Sequence, residues 1–307
     1  MARRKPPNTP PPFPSAPGEM EAAFVSAETA PEQPFSGVQK TSRTKKAAAA
    51  KKQTPQGGKA PLMIHLDNIT KKFNSHTVLD NVTLQVPKGK TTVVIGGSGH
   101  GKSTLLRLIV GFIRPESGRL WIDGVNVLDL DEAGRLEVQK TIGMSFQYSA
   151  LFDSMNVFEN LAFPLREHTR LDEAEISRRV SATLTRLGLP GIEAKFPSEL
   201  SGGMKKRVGV ARAIMLQPKI MLFDEPESGL DPINTNAIGE LIMEMRDDFH
   251  ITCLVISHNI ENSMMIADSI CMLYKGKIIA QGTPEEIRQD PNPVLQQFLH
   301  GQAHGPF

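Results

Sequence analysis

The chain has 307 residues, with 35 Lys+Arg against 33 Asp+Glu and a formal net charge of +2. That near-neutrality excludes a protein that works by blanketing nucleic acid with charge, and no apolar run approaches the roughly 20 residues of a membrane-spanning helix. Two cysteines, Cys253 and Cys271, exclude a disulfide framework and suit a reducing compartment.

The small net charge hides a split. Residues 1–61 hold 10 Lys+Arg, 4 Asp+Glu and 11 of the 23 prolines, a net +6 that leaves −4 for the other 246 residues. This first segment lacks hydrophobic periodicity and reads as a disordered, basic, Pro-rich tail. Its opening residues Arg3, Arg4 and Lys5 have the charge of an export signal, but no apolar segment follows, so export is not expected. Lys40, Arg43, Lys45, Lys46, Lys51 and Lys52 form a cluster without an acid among them. Three readings stand for the tail. It is a solvated segment, or a weak anionic-lipid attractor at up to about 1 kcal/mol per basic residue, or an overlong gene reading, because Met63 opens the ordered pattern.

From Met63 the texture changes. Ile64, Leu66 and Ile69 begin a strand pattern that ends near Phe73, and Val82, Leu84 and Val86 alternate with polar residues at strand period. After a turn at residues 87–90, Thr91 to Ile95 is a β-branched run suited to a strand buried on both faces. A glycine-rich loop follows, then a helix over 103–112. Leu120, Ile122 and Val125 form a short strand pair with its turn at Asp123 and Gly124. Residues 150–218 read as mainly helical. Asp172 with Glu175 resembles a capping box, Ile176, Val180, Leu184 and Leu187 recur at helical spacing, and Gly188 suits the stop. A further helix starts after Ser201 and must end before Pro218. Strands return at 220–223 and 251–256 with a helix over 233–245 between them, and the alternation continues to about Gly282. The expected fold is an α/β core with a helical insertion.

Three constellations carry chemistry. Gly96, Gly97, Ser98, Gly99, His100, Gly101, Lys102 and Ser103 match G-x-x-x-x-G-K-[ST], with Thr104 next. Glycines let backbone N–H groups converge on phosphate oxygens, and the helix that starts here adds its positive end. Lys102 offers a charge to the β- and γ-phosphates, and the Ser103 hydroxyl suits Mg2+. Asp224 and Glu225 end the apolar strand Ile220–Phe223. Asp224 suits Mg2+ and Glu225 suits an attacking water, at the strand ends where ligands collect in a parallel sheet. Leu200, Ser201, Gly202, Gly203 and Met204 begin 24 residues before Asp224 and offer a second anion site, which points to a dimer sharing its nucleotides. His258 follows the 251–256 strand and can donate to a γ-phosphate oxygen. His300 and His304 lie in Gly- and Pro-containing surroundings, and no metal site is read there.

Phosphate loop, Gln147, the Leu200–Met204 pentapeptide, the Asp224–Glu225 strand end, the run Gly229, Leu230, Asp231, Pro232, and His258 occur in the order of an ABC transporter ATPase. The resemblance covers about residues 63–282. It implies a P-loop NTPase ABC cassette with a RecA-like core, an antiparallel β subdomain and a helical subdomain insertion. The cassette would span 62–288, its helical part about 150–218, with a C-terminal extension at 289–307. By the same resemblance ATP and Mg2+ are the ligands, and Phe73 stacks on adenine. Gln147 contacts the metal and γ-phosphate and links to the membrane partner. Ser201 to Met204 close over the ATP of the opposite subunit, Asp231 lies at the dimer interface, and His258 is the switch histidine. Residues Ser149 to Thr169 are similar to the ATPase of Mla-type lipid transporters, which serve MCE-domain lipid-binding partners. That likeness implies a homodimer of ATPase subunits, an integral membrane permease and the cytoplasmic face of an inner membrane. It leaves a STAS-domain protein as an open further partner and implies no nucleic acid. The alternatives are the ATPase of a small-solute importer, or a soluble ABC protein acting on ribosomes or DNA. Phe152, Met155, Val157, Phe158 and Leu161 are either a partner surface or the packing of the helical insertion. Two departures stand out: Met204 replaces the commoner Gln, and Glu227 replaces the usual Thr, for which the sequence offers no account.

Overall fold

The computed structural model describes residues 61–307; the basic tail to residue 60, and the readings attached to it, lie outside the described residues. Two sheets organise the chain. Strands β1 (Leu62–Phe73), β2 (His76–Pro87), β4 (Ser117–Ile122) and β5 (Val125–Asn126) form an antiparallel sheet in the order β2-β1-β4-β5. The second sheet has the order β10-β9-β3-β8-β7-β6, built from β3 (Thr91–Ile95), β6 (Ile142–Ser145), β7 (Ile220–Asp224), β8 (Thr252–Ser257), β9 (Ser269–Tyr274) and β10 (Lys277–Gly282). All its pairings are parallel except β9 with β10.

Alternation along these strands builds two cores. Val93, Ile95, Met221, Phe223, Cys253 and Val255 face one side of the parallel sheet, where the helical insertion packs. Val94, Leu222, Leu254, Ile256, Cys271 and Leu273 face the other, against the antiparallel sheet and the first helix. The period of two sends successive side chains to opposite faces, so a continuous apolar run is what a strand covered on both sides requires.

The helices are α1 (Lys102–Val110), α2 (Glu132–Gln139), α3 (Val157–His168), α4 (Glu173–Arg186), α5 (Gly202–Ile214), α6 (Pro232–Phe249), α7 (Ile260–Ile266), α8 (Pro284–Gln289) and α9 (Pro293–Leu299). Helix α1 stops at Gly111, whose φ of 85° ends it two residues before the expected limit. Asp172 caps α4 by accepting from the Glu175 N–H at 2.8 Å, but the expected capping box is incomplete. The Glu175 carboxylate turns instead to Arg178 and Arg179 at 2.8 and 2.7 Å. A reciprocal box does form on α3, between Asn156 and Glu159. Helices α2, α8 and α9 are short elements beyond those expected from the sequence, each opened by an Asp, Thr or Asn cap. Leu295 of α9 enters the core and ties the end of the chain to it.

The apolar segment after Gln147 divides. Val157 and Leu161 are buried in the core, so for them the packing reading holds. Tyr148 is 87% exposed and Phe152 43% exposed, the latter ring edge-on to Phe163 at 5.3 Å.

Candidate active site

The carboxyl ends of four adjacent parallel strands, β3, β8, β7 and β6, bring the phosphate loop, His258, Asp224–Glu225 and Gln147 to one edge of the sheet. The loop after β3 needs its first glycine. Gly96 has φ 151°, and a Cβ there would meet the Leu273 carbonyl oxygen at 2.2 Å. Gly101, in the left-handed region at φ 104°, opens α1 without a side-chain cap, which leaves the helix's first N–H groups free for an anion.

Lys102 folds back over this loop. Its ammonium donates to the carbonyls of Gly96 at 2.9 Å and Gly97 at 3.0 Å, is 6% exposed, and lies 3.9 Å from Glu225 Oε1. Burial lowers the Lys102 pKa, opposed by the charges of Glu225, Asp224 and Glu227. The Ser103 hydroxyl donates to Asp224 Oδ1 at 3.4 Å. Burial, and after it the Glu225 charge, raises the Asp224 pKa. A hydroxyl, a carboxylate and the Gln147 amide are hard oxygen donors of the kind Mg2+ takes beside substrate phosphates, so the residues present fit the ion.

Glu225 is the hub. It holds a left-handed backbone at φ 47°, which costs about 1 kcal/mol or more for a residue with a Cβ. Its N–H donates to Ile256 O at 3.0 Å, crossing from β7 to β8. Its Oε2 receives Gln147 Nε2 at 3.4 Å and stands 3.3 Å from His258 Nδ1. Gln147 Nε2 also donates to Ser228 Oγ at 3.1 Å.

The remaining expected residues have local partners. Ser201 caps α5 by accepting from the Met204 N–H at 3.3 Å, with Ser201 and Gly202 exposed. Gly203 is buried against α6: a Cβ there would meet Asn234 Oδ1 at 2.8 Å. Asp231 caps α6 and accepts twice from Asn234, at 2.9 and 2.6 Å, which holds its carboxyl below the usual range. Phe73 ends β1 with its ring exposed and the Lys71 ammonium 5.1 Å from its centroid.

Several neighbours escaped the sequence reading. Lys206, on α5, is buried and its ammonium donates to the Gln147 carbonyl, tying α5 to the loop after β6. Phe307 lies 5.3 Å from His100 of the phosphate loop and 5.4 Å from Tyr274, whose hydroxyl donates to Pro306 O at 2.9 Å. Burial lowers the His100 pKa. The separation of His100 and Phe307 along the chain gives no sequence signal for that contact.

A phosphate loop, a strand-end acid pair and a histidine gathered at one sheet edge define a nucleotide-hydrolysing P-loop protein. The ABC transporter family pattern matches residues 79–228. The chain is 43% identical over 244 residues to the intermembrane phospholipid transport system ATP-binding protein MlaF of Haemophilus influenzae, covering 80% of this chain and 92% of that protein. It is 41% identical over 244 residues to MlaF of Escherichia coli strain K12, covering 80% and 91%. It is also 42% identical over 244 residues to the probable ribonucleotide transport ATP-binding protein mkl of Mycobacterium tuberculosis strain H37Rv, covering 80% and 68%. Among solved structures, cbiO1 of Clostridium perfringens, part of an ABC transporter complex, superposes with TM-score 0.70 at 30% identity, covering 75% and 91%. The ATP-binding cassette MJ0796, as a post-hydrolysis dimer with ADP and Pi, gives 0.67 at 29%, covering 72% and 99%. The chain belongs to the ABC transporter family, as an ATP-binding subunit. It is an ATPase of a membrane transport system.

Proposed function

We propose that this ATPase drives movement of phospholipid or a related lipid through an integral permease at the cytoplasmic face of an inner membrane, with an MCE-domain lipid-binding protein as partner. The observation that carries the lipid reading is 43% identity across 92% of a MlaF protein's length, against 68% of the length of mkl, whose name gives ribonucleotide transport. Among the described residues no helix is long and apolar enough to cross a membrane. The permease would supply the crossing, docked on the exposed rings of Tyr148 and Phe152.

Two copies pair so that each ATP lies between the phosphate loop of one and Ser201–Met204 of the other, with Asp231 at the interface. Phe73 stacks on adenine. Lys102, turned onto its own loop carbonyls, swings to the β- and γ-phosphates when they arrive. Ser103, Asp224 and Gln147 would hold Mg2+, which neutralises phosphate charge when bound. Glu225 polarises the attacking water, and His258 donates to the γ-phosphate. Catalysis is positioning and charge stabilisation, the main demand of phosphoryl transfer. Closure on ATP pulls on the permease, and hydrolysis resets the dimer.

The test is purification of the full chain from native membranes. Co-recovery with a multi-span permease and an MCE protein, with ATP hydrolysis stimulated by phospholipid vesicles, is expected. Recovery with ribosomes or DNA, or stimulation by ribonucleotides and not by lipid, contradicts the proposal.

A further inference from the structure

Glu227 sits two residues beyond Glu225, at the place where the family resemblance implies Thr. It is 4% exposed. The Ser257 hydroxyl, fully buried at the end of β8, donates to Glu227 Oε1 in a short bond. The same hydroxyl oxygen accepts the Asn259 N–H at 2.9 Å. Asn259 in turn caps α7, accepting from the Asn262 N–H at 2.9 Å and, through its carbonyl, from the Ser263 hydroxyl at 2.6 Å. His258 lies between the two bonded residues. Its own side chain is mostly exposed and meets the protein at Glu225. The backbone on either side of His258 is therefore fastened through Ser257 to one buried carboxylate.

The other oxygen of that carboxylate, Glu227 Oε2, is buried and without a hydrogen-bond partner. Leaving a buried acceptor unpaired costs about 1–3 kcal/mol, more for a charged group. Stability alone does not favour an acid here. Its charge lies within Coulombic reach of the buried ammonium groups of Lys102 and Lys206. Lys206 holds the Gln147 carbonyl. One side chain thus stands among the loops that carry Gln147, Glu225 and His258.

We infer that Glu227 is a positioning residue for ATP hydrolysis, acting through Ser257 to hold the His258 segment beside Glu225. The inference rests on the reading of Glu225 and His258 as the hydrolytic pair. A Thr at the same place has a shorter side chain, so the reach across to β8 is a property of the acid.

The experiment measures kcat for ATP hydrolysis and Kd for a trinitrophenyl-ATP probe in the full chain. The variants are Ser257→Ala, Glu227→Ala, Glu227→Gln and the Glu227→Ala/Ser257→Ala pair. Ser257→Ala and Glu227→Ala each lower kcat about tenfold while Kd moves by less than about twofold, because the loss falls on the reacting geometry and not on binding. The double variant is no slower than the worse single, since both cut one connection. Glu227→Gln keeps an acceptor for the Ser257 hydroxyl and recovers kcat to within about threefold of the parent. Unchanged kcat in Ser257→Ala overturns the inference, as do multiplied losses in the double variant or a Gln variant no better than Ala. If Glu227→Ala does not fold, Ser257→Ala decides alone. Glu225→Gln is measured alongside. Full activity there overturns the hydrolytic pair itself, whereas an inactive Glu225→Gln beside a fully active Ser257→Ala overturns only the role of Glu227.

Discussion

His258 Nδ1 lies 3.3 Å from Glu225 Oε2, at the ends of neighbouring strands β8 and β7. The contact places an imidazole beside the carboxylate proposed to act on water. Replacing His258 with Ala leaves the phosphate loop and Lys102 untouched. The expected outcome is a loss of about 10²-fold or more in the hydrolysis rate, with ATP affinity retained. Steady-state phosphate release together with probe binding checks it; a parallel loss of binding contradicts the assignment.

Asp224 gives a stability prediction. Burial, with the Glu225 charge second, raises its folded-state pKa. An acid raised in this way favours the folded state when protonated, and that contribution is lost as pH rises through the folded pKa. At neutral pH the ionised form therefore opposes folding. Asp224→Asn should raise the thermal midpoint at pH 7 by about 1–2 °C, a modest figure because the group is partly exposed and screened. The gain shrinks on acidification, while hydrolysis at saturating Mg2+ is lost. Calorimetry at pH 7 and at an acid pH checks the sign.

The exposed ring of Phe152 is held in place from below. Asn160, fully buried, accepts from the Phe152 N–H at 2.9 Å and donates to the Phe152 carbonyl at 3.1 Å, and the Arg212 guanidinium lies 5.3 Å from the ring centroid. A fixed apolar surface costs little ordering entropy on docking. Phe152→Glu should abolish recovery with the permease and leave the thermal midpoint and ATP affinity of the isolated subunit unchanged. Affinity purification from membranes reads the first effect, and thermal melts with probe binding read the second.

Cys253 and Cys271 lie inside the parallel sheet, one facing each core, and burial pushes both thiols up to about 12. Neutral, buried thiols are poor nucleophiles. Neither should react with a maleimide in the native protein, and both should react after denaturation. Mass spectrometry of native and unfolded samples checks this.

The sequence displayed what local chemistry dictates. The run Thr91–Ile95 could be read as a doubly covered strand because every residue in it is apolar or β-branched, and Ser201 as a cap because glycines and then helix formers follow it. The gathering of Asp224, Glu225 and His258 followed from their place at strand ends, whereas the strand that positions Gln147, β6, is too short and too mixed in character to show in the sequence. What escaped depends on contacts between distant segments. Nothing local shows that Glu225 adopts a left-handed backbone, since a strand-end acid more often stays extended. Val157 and Phe152 looked alike as apolar residues of one segment, and only packing separated them. Glu175 had the right spacing for a capping box, but two arginines on its own helix offered the carboxylate charged partners.

In the proposed mechanism this cassette hydrolyses ATP through Glu225. The direct measurement is ATP turnover by the Glu225→Gln variant of the full chain in its membrane complex, with dimer formation followed in parallel. Turnover should fall by about 10²-fold or more while ATP still drives two subunits together, because the amide keeps the shape of the site but cannot take the water's proton. Hydrolysis at the parent rate would contradict it.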